Sequence, residues 1–158
     1  PAWLPGGGEA PYRGEAEAPP AELGLKDQVR FLGFCRNVPE LLMTHQLCVL
    51  STRWEGMPLS LVEGMAAGCA VVGSAVTGVK EILRDGMDGR LVAPESPASL
   101  AAALEALLRD PDRAARMGSA ARAAALERHS LELMTQRYEE LFISLAATQR
   151  RHSYKSRA

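Results

Sequence analysis

The sequence has 158 residues, 47% hydrophobic and 23% charged, with a formal net charge of −1. That is enough chain for one domain with a real core, at an ordinary globular composition. The near-zero charge gives no global basic field of the kind that marks nucleic-acid binders. No apolar run is long enough to span a bilayer as a helix, and no signal-peptide pattern is present.

The chain opens with Pro1–Gly8 (PAWLPGGG), which reads as the end of a strand running into a turn. With Pro rather than Met in first place, the expectation is a cut through a larger protein. Residues 9–22 are rich in Pro and Glu, and Pro19 and Pro20 make them a poor helix. Val29–Gly33 reads as a short strand ended by Gly, Val38–Thr44 as a short helix with Leu41 and Leu42 inward. Leu47–Leu50 is a continuous apolar run, the pattern of a strand buried on both faces.

Pro58–Ala67 is helical, with Pro58 in the first turn and Gly68 as its stop. Ala70–Val72 and Gly89–Val92 are further strands. From there the chain is helical. Leu100, Leu104, Leu107 and Leu108 share one face of Ala98–Arg109, and Asp110-Pro111 caps Arg113–Arg128. Ser130 starts a last helix with Leu131, Met134, Tyr138, Leu141, Phe142 and Leu145 on one stripe. The tail from Arg150 carries four Lys/Arg and is expected to fray as a solvated terminus, the other use being peripheral contact with an anionic membrane surface.

Strands alternating with helices predict an α/β domain, a Rossmann-like parallel sheet with helices on both faces. Such sheets bind ligands beyond the carboxyl ends of their strands. Cys35, Cys48 and Cys69 are too scattered for a disulfide framework or a zinc site, and read as small buried hydrophobes of a reducing, cytoplasmic compartment. His45, His129 and His152 lack the setting of an active-site base; His129 at a helix end is explained by the helix dipole.

The most informative segment is Ser51–Gly68 (STRWEGMPLSLVEGMAAG), directly after a strand. A helix N-terminus offers unpaired N–H groups and a positive dipole end. Gly56 lets backbone approach a ligand, so a diphosphate can rest on N–H groups near Met57, Leu59 and Ser60. Glu63, about one turn inside the helix, can accept from two vicinal hydroxyls such as those of a ribose, and Glu55 from sugar hydroxyls beyond the phosphates. Taken singly, both carboxylates also suit solvated surface positions.

Seven residues separate Glu55 from Glu63, and Glu55–Gly68 (EGMPLSLVEGMAAG) resembles the Glu-x7-Glu region of the retaining glycosyltransferases of family 4, within the GT-B fold. The similarity continues through Cys69–Val72, Gly78–Leu83 and Asp85–Val92, and upstream through Val29–Leu42, covering roughly residues 24–143. The resemblance implies the C-terminal half of a GT-B fold, N-terminally truncated. Residues 1–23 are then a degraded or truncated start, 24–149 a nucleotide-sugar-binding domain, and 150–158 a basic, disordered tail. It implies that Glu55 contacts the donor sugar and is the candidate catalytic residue, and that Glu63 binds the ribose. Phe34, Arg36, Asn37 and Val38 would border the base. Gly78 and Glu81 match the family's Gly-x-x-Glu turn, where Gly78 is read as a conformational requirement.

The implied partners are a nucleotide-diphosphate sugar and an N-terminal acceptor domain of the same parent chain, with no cofactor and no metal. The chain departs from the pattern in lacking the family's Arg/Lys pair, in Gly6-Gly7-Gly8-Glu9 where Gly-Asp-Gly is usual, and in Gly64 where Ala is usual. Two rival readings stand beside transfer with retention: a truncated module that binds nucleotide and catalyses nothing, and a nucleotide-sugar epimerase.

Overall fold

The computed structural model describes residues 2–5, 19–20 and 22–155, with side-chain surroundings given for 19–20 and 22–147. The Gly6–Glu9 turn and most of the Pro-rich stretch lie outside the described residues. The chain divides into two compact units, Pro1–Leu41 and Leu42–Ala158. In the first unit, strand β1 (Ala2–Pro5) pairs in parallel with β2 (Val29–Gly33). Helix α1 (Val38–Met43) spans the division, and Leu41 and Leu42 are both half-buried.

The second unit is built on a three-stranded parallel sheet of β3 (Leu47–Leu50), β4 (Ala70–Ser74) and β5 (Arg90–Val92), in that order. Leu47 to Leu50 register against Ala70 to Gly73, and Val72 to Ser74 against Arg90 to Val92. β4 is buried throughout. β3 departs from its expectation: Leu47, Cys48 and Leu50 are half-buried and Val49 is exposed. Among the described residues it has a ladder partner on one side only, so it is an edge strand where an apolar run suggested a central one.

Helices cover both faces, as the alternation predicts. On one face Val71 packs with Leu61 and Met65 of α2 (Leu59–Ala67), with Val79 and Ile82 of α3 (Thr77–Ile82), and with Ala121, Ala124 and Ala125. Those alanines belong to α5 (Pro111–Arg128). On the other face Ala70, Val72 and Val92 pack with Ala103 and Leu107 of α4 (Pro97–Leu108) and with Ala114 and Met117 of α5. The caps read from the sequence are present. Asp110 Oδ1 accepts from the Arg113 N–H at 2.9 Å, and Ser130 Oγ from the Leu133 N–H at 3.2 Å. Ser96 Oγ likewise accepts from the Ser99 N–H and caps α4.

Helix α2 is fixed at both ends. Gly68 takes the left-handed conformation, φ 86°, that a C-terminal stop favours. Its carbonyl lies where a Cβ on Gly118 would be, so α5 crosses the end of α2 at backbone contact distance. Arg122 adds a donor to the Ala66 carbonyl at 3.1 Å, satisfying one of the orphan acceptors at that end. Gly64 has a similar cause: a Cβ there would meet Cys48 Sγ at 2.6 Å. The helix sits closer to β3 than an Ala would allow, and the larger Cys48 fills the space.

Asp88, fully buried, joins two elements. It accepts from the backbone N–H and Nε of Arg84 at 2.6 and 2.7 Å, and from Arg128 at the end of α5 at 2.6 Å. His129 follows Arg128 as the C-cap of α5. Burial, then the neighbouring Arg128 and Arg137, push its pKa below the usual imidazole range, against a raising influence of Asp88. That lowering acts against the charged form that a helix-dipole contact would use.

Helix α6 (Leu131–Lys155) carries the expected stripe, with Tyr138 and Phe142 stacked at 6.0 Å between ring centroids. The stripe is solvent-exposed, Leu131 at 67% and Phe142 at 63%. The helix also runs through the stretch expected to fray from Arg150, as far as Lys155. No Gly or Pro interrupts it, so backbone propagation outweighs the polar composition.

Substituting Gly118→Ala raises helix propensity by about 1 kcal/mol but drives a methyl into a backbone carbonyl that cannot yield. A net loss of about 1–3 kcal/mol in urea unfolding is expected. Ser119→Ala, on the exposed neighbouring position, should stay within about 0.5 kcal/mol.

Candidate functional site at the carboxyl end of the sheet

Strand β3 ends at Leu50, and the chain passes through Ser51–Pro58 before α2 begins. Three contacts hold this turn. The Thr52 N–H donates to Ser74 Oγ at 3.1 Å, tying it to the end of β4. The Thr52 hydroxyl donates to the Trp54 carbonyl at 3.0 Å. Farther on, the backbone of Glu55 and Gly56 lies directly against Gly78. A Cβ at Gly78 would fall 2.5 Å from the Glu55 carbonyl oxygen and closer still to that of Gly56.

This last contact corrects the reason for Gly78. It sits in α3 with no positive φ, so conformational freedom is not what it supplies. It supplies room. The contact also orients the turn. Each peptide is trans, so its N–H points opposite to its C=O. With the carbonyls of Glu55 and Gly56 turned onto Gly78, the N–H groups of Gly56 and Met57 are turned away from α3. Gly56 itself has open space where a Cβ would be.

Pro58 is buried and serves as N-cap of α2, one position earlier than its sequence reading as a helical residue. It makes no side-chain cap, and its carbonyl accepts from Leu61 at 3.0 Å as the first turn closes. The N–H groups of Leu59 and Ser60 thus stand at a helix start without a capping side chain. Met57 and Leu59 are exposed at 57% and 63%, so this end faces solvent. Unpaired N–H donors and the positive end of a helix dipole are the groups that an anion requires.

Glu55 is half-buried in the turn and Glu63 exposed on α2. Cys48 lies beneath that helix, its thiol pushed up to about 11 by burial first, then by Cys69 and Glu63. It is uncharged at neutral pH and is a packing group, as is Cys69, whose thiol burial also raises. Cys69 Sγ donates weakly to the carbonyls of Leu42 and His45, each at 3.3 Å.

The four residues expected near a base belong to the first unit. Phe34 is exposed at 78%, Arg36 and Asn37 are exposed, and Val38 is half-buried at the start of α1. The Asn37 carbonyl accepts from Leu41 at 3.1 Å, so Asn37 supports the helix. Glu81 is exposed on α3.

Sequence reasoning missed Ser74 as the anchor of the turn, although a small hydroxyl residue at the end of a buried strand was a usable signal. It also missed an open cleft of about 450 Å³ beside the turn, between Ser51, Ser74, Val92, Glu95 and Leu100. Among the described residues no cluster of His, Cys, Asp or Glu could hold a metal ion, and no helix is long and apolar enough to cross a membrane.

Comparison with known proteins gives a consistent result. Residues 6–124 match the model of a family described as glycosyl transferases group 1. The chain is 32% identical over 120 residues to N-acetyl-alpha-D-glucosaminyl L-malate synthase of Bacillus anthracis, covering 76% of this chain and 32% of that protein. It is 31% identical over 126 residues to alpha-D-kanosaminyltransferase of Streptomyces kanamyceticus, covering 78% and 33%. The chain thus spans about a third of the length of these curated relatives. Among solved structures it is similar to Anabaena HepE in complex with UDP and glucose, at a TM-score of 0.85 and 31% identity, over 90% of this chain and 40% of that one. It is also similar to the C-terminal domain of a glycosyl transferase group 1 family protein from Francisella tularensis, at a TM-score of 0.71 and 25% identity, over 76% and 63%.

Substituting Gly78→Ala should destabilise the fold by about 1–3 kcal/mol, because the obstacle is backbone rather than a flexible side-chain end. Urea unfolding measures it. A Gly78→Ala protein as stable as the parent would mean that the turn is not seated as described.

Proposed function

Because this chain belongs to the glycosyl transferases group 1 family, we propose that it is the donor-binding part of an enzyme that moves a sugar from a nucleotide-diphosphate sugar to an acceptor. The observation that carries the proposal is the turn seated on Gly78, which aims amides away from α3 just before an uncapped helix start. The likeness to a structure holding UDP and glucose supports it.

In this reading the diphosphate rests on the N–H groups near Met57, Leu59 and Ser60, at the positive end of α2. The ribose hydroxyls donate to Glu63, and the hydroxyls of the transferred sugar donate to Glu55. As the bond from sugar to phosphate breaks, charge develops on the diphosphate. Preoriented amides stabilise that charge more than they stabilise the intact donor, which is the requirement for catalysis. Neither a metal nor a cofactor is invoked. Retention at the anomeric carbon follows from the resemblance of the Glu-x7-Glu segment. The acceptor would be held by a second domain of the parent protein, closing over this edge of the sheet.

A second reading is nucleotide binding without transfer by these residues alone. The two readings share the same donor contacts and differ in whether transfer is measured.

Glu63→Gln keeps the size of the side chain but removes its charge and one acceptor. In the protein containing this chain, it should weaken nucleotide diphosphate binding by about 1.5–3 kcal/mol, roughly ten- to a hundredfold. Glu55→Gln should leave free nucleotide diphosphate bound nearly as before while transfer falls. Calorimetric titration and a transfer assay separate the roles. Unchanged nucleotide affinity in Glu63→Gln would remove the ribose assignment, and full transfer by both variants would return both carboxylates to the solvated surface.

A further inference from the structure

We infer that Trp54 is a stacking platform for the pyranose ring of the donor, so that an aromatic face as well as the Glu55 carboxylate holds the transferred sugar. The inference rests on the donor-site reading above and adds a residue to it. Trp54 is 82% exposed, the highest value among the exposed large apolar side chains of the described residues. It immediately precedes Glu55 in the turn that follows β3.

An exposed indole at the tip of a loose loop would mean little. This turn is not loose. The Thr52 hydroxyl holds the Trp54 carbonyl at 3.0 Å, the Thr52 N–H is held by Ser74, and the next two residues are seated on Gly78. The backbone is fixed on both sides of Trp54 while its ring stands in water. Covering a ring on a fixed backbone costs less ordering than covering a mobile one.

The chemistry of the neighbours indicates what covers it. An aromatic face carries negative partial charge, and one face of a pyranose presents weakly positive C–H groups. The hydroxyls project from the rim of the sugar, toward acceptors and donors such as Glu55 and Arg53. Arg53 is exposed and lies 3.9 Å from Glu95 at the edge of the neighbouring cleft. A nucleobase could also stack on an indole. In a nucleotide-diphosphate sugar, however, base and sugar lie at opposite ends of the diphosphate. With the ribose assigned to Glu63 inside α2, Trp54, which precedes the helix start in the chain and adjoins Glu55, is assigned to the sugar end.

The test compares sugar nucleotides with their free nucleotides. UDP-glucose, UDP-galactose, UDP-N-acetylglucosamine and GDP-mannose are titrated beside UDP and GDP into the protein containing this chain, and into its Trp54→Ala, Trp54→Leu and Trp54→Phe variants, with thermal melts as the check on folding. Trp54→Ala and Trp54→Leu should bind the preferred sugar nucleotide about three- to tenfold more weakly, with the free nucleotide unchanged. Trp54→Phe, which keeps a flat aromatic face, should retain most of the affinity. The inference is overturned if Trp54→Leu leaves the ratio of sugar-nucleotide to free-nucleotide affinity as it was. Equal loss for both ligands overturns it in favour of base stacking. Failure of every nucleotide to bind the parent would overturn the donor-site reading itself, an outcome distinct from either.

Discussion

The contact between the Glu55–Gly56 backbone and Gly78 is the constraint on which the site depends. Two carbonyls press against a position that has no side chain, and no other residue type leaves that space. Trans peptide geometry converts the contact into direction, turning the Gly56 and Met57 amides away from α3. Ser74 and Thr52 fix the turn where it leaves the sheet. A flexible loop could offer the same groups only at an entropic cost on binding, a cost that these contacts reduce.

The same close approach recurs through α2. Gly64 lets it down onto Cys48, and Gly118 lets α5 reach its C-terminal carbonyl. Helix start and helix end are therefore both referred to β3, β4 and α5. The core behind them is made of small residues on α5 and of Leu61, Met65 and Val71, all buried. Glu63 gains its place from this packing, since its own side chain is exposed and contributes little to it.

Much of this was legible in the sequence, for a physical reason: strand runs, caps and stops are local. Leu47–Leu50, Ala70, the Gly68 stop, Asp110 and Ser130 each declare themselves within a few residues. Even the motif from Glu55 to Glu63 is local. Pairings between distant segments were not legible. Nothing near Gly78 says that its neighbour is Gly56, and nothing near Ser74 says that it holds Thr52. The exposure of β3 depends on which strands pair beside it, which an apolar run does not encode. The α6 stripe shows the same limit, because periodicity marks an apolar face without naming what it packs on. His129 and Asp88 differ again: Arg84 and Arg128 around Asp88, and Arg128 and Arg137 around His129, are gathered from three segments.

In the proposed function the seated turn and the start of α2 receive a nucleotide diphosphate. Backbone amide NMR shifts on adding UDP, followed by GDP and ADP, read that claim residue by residue. The largest shifts and slowed hydrogen exchange are expected at Gly56, Met57, Leu59 and Ser60, with smaller changes at Glu63. Shifts confined to the cleft at Ser51, Glu95 and Leu100, with the amides of Gly56 to Ser60 unmoved by any of the three nucleotides, would contradict it.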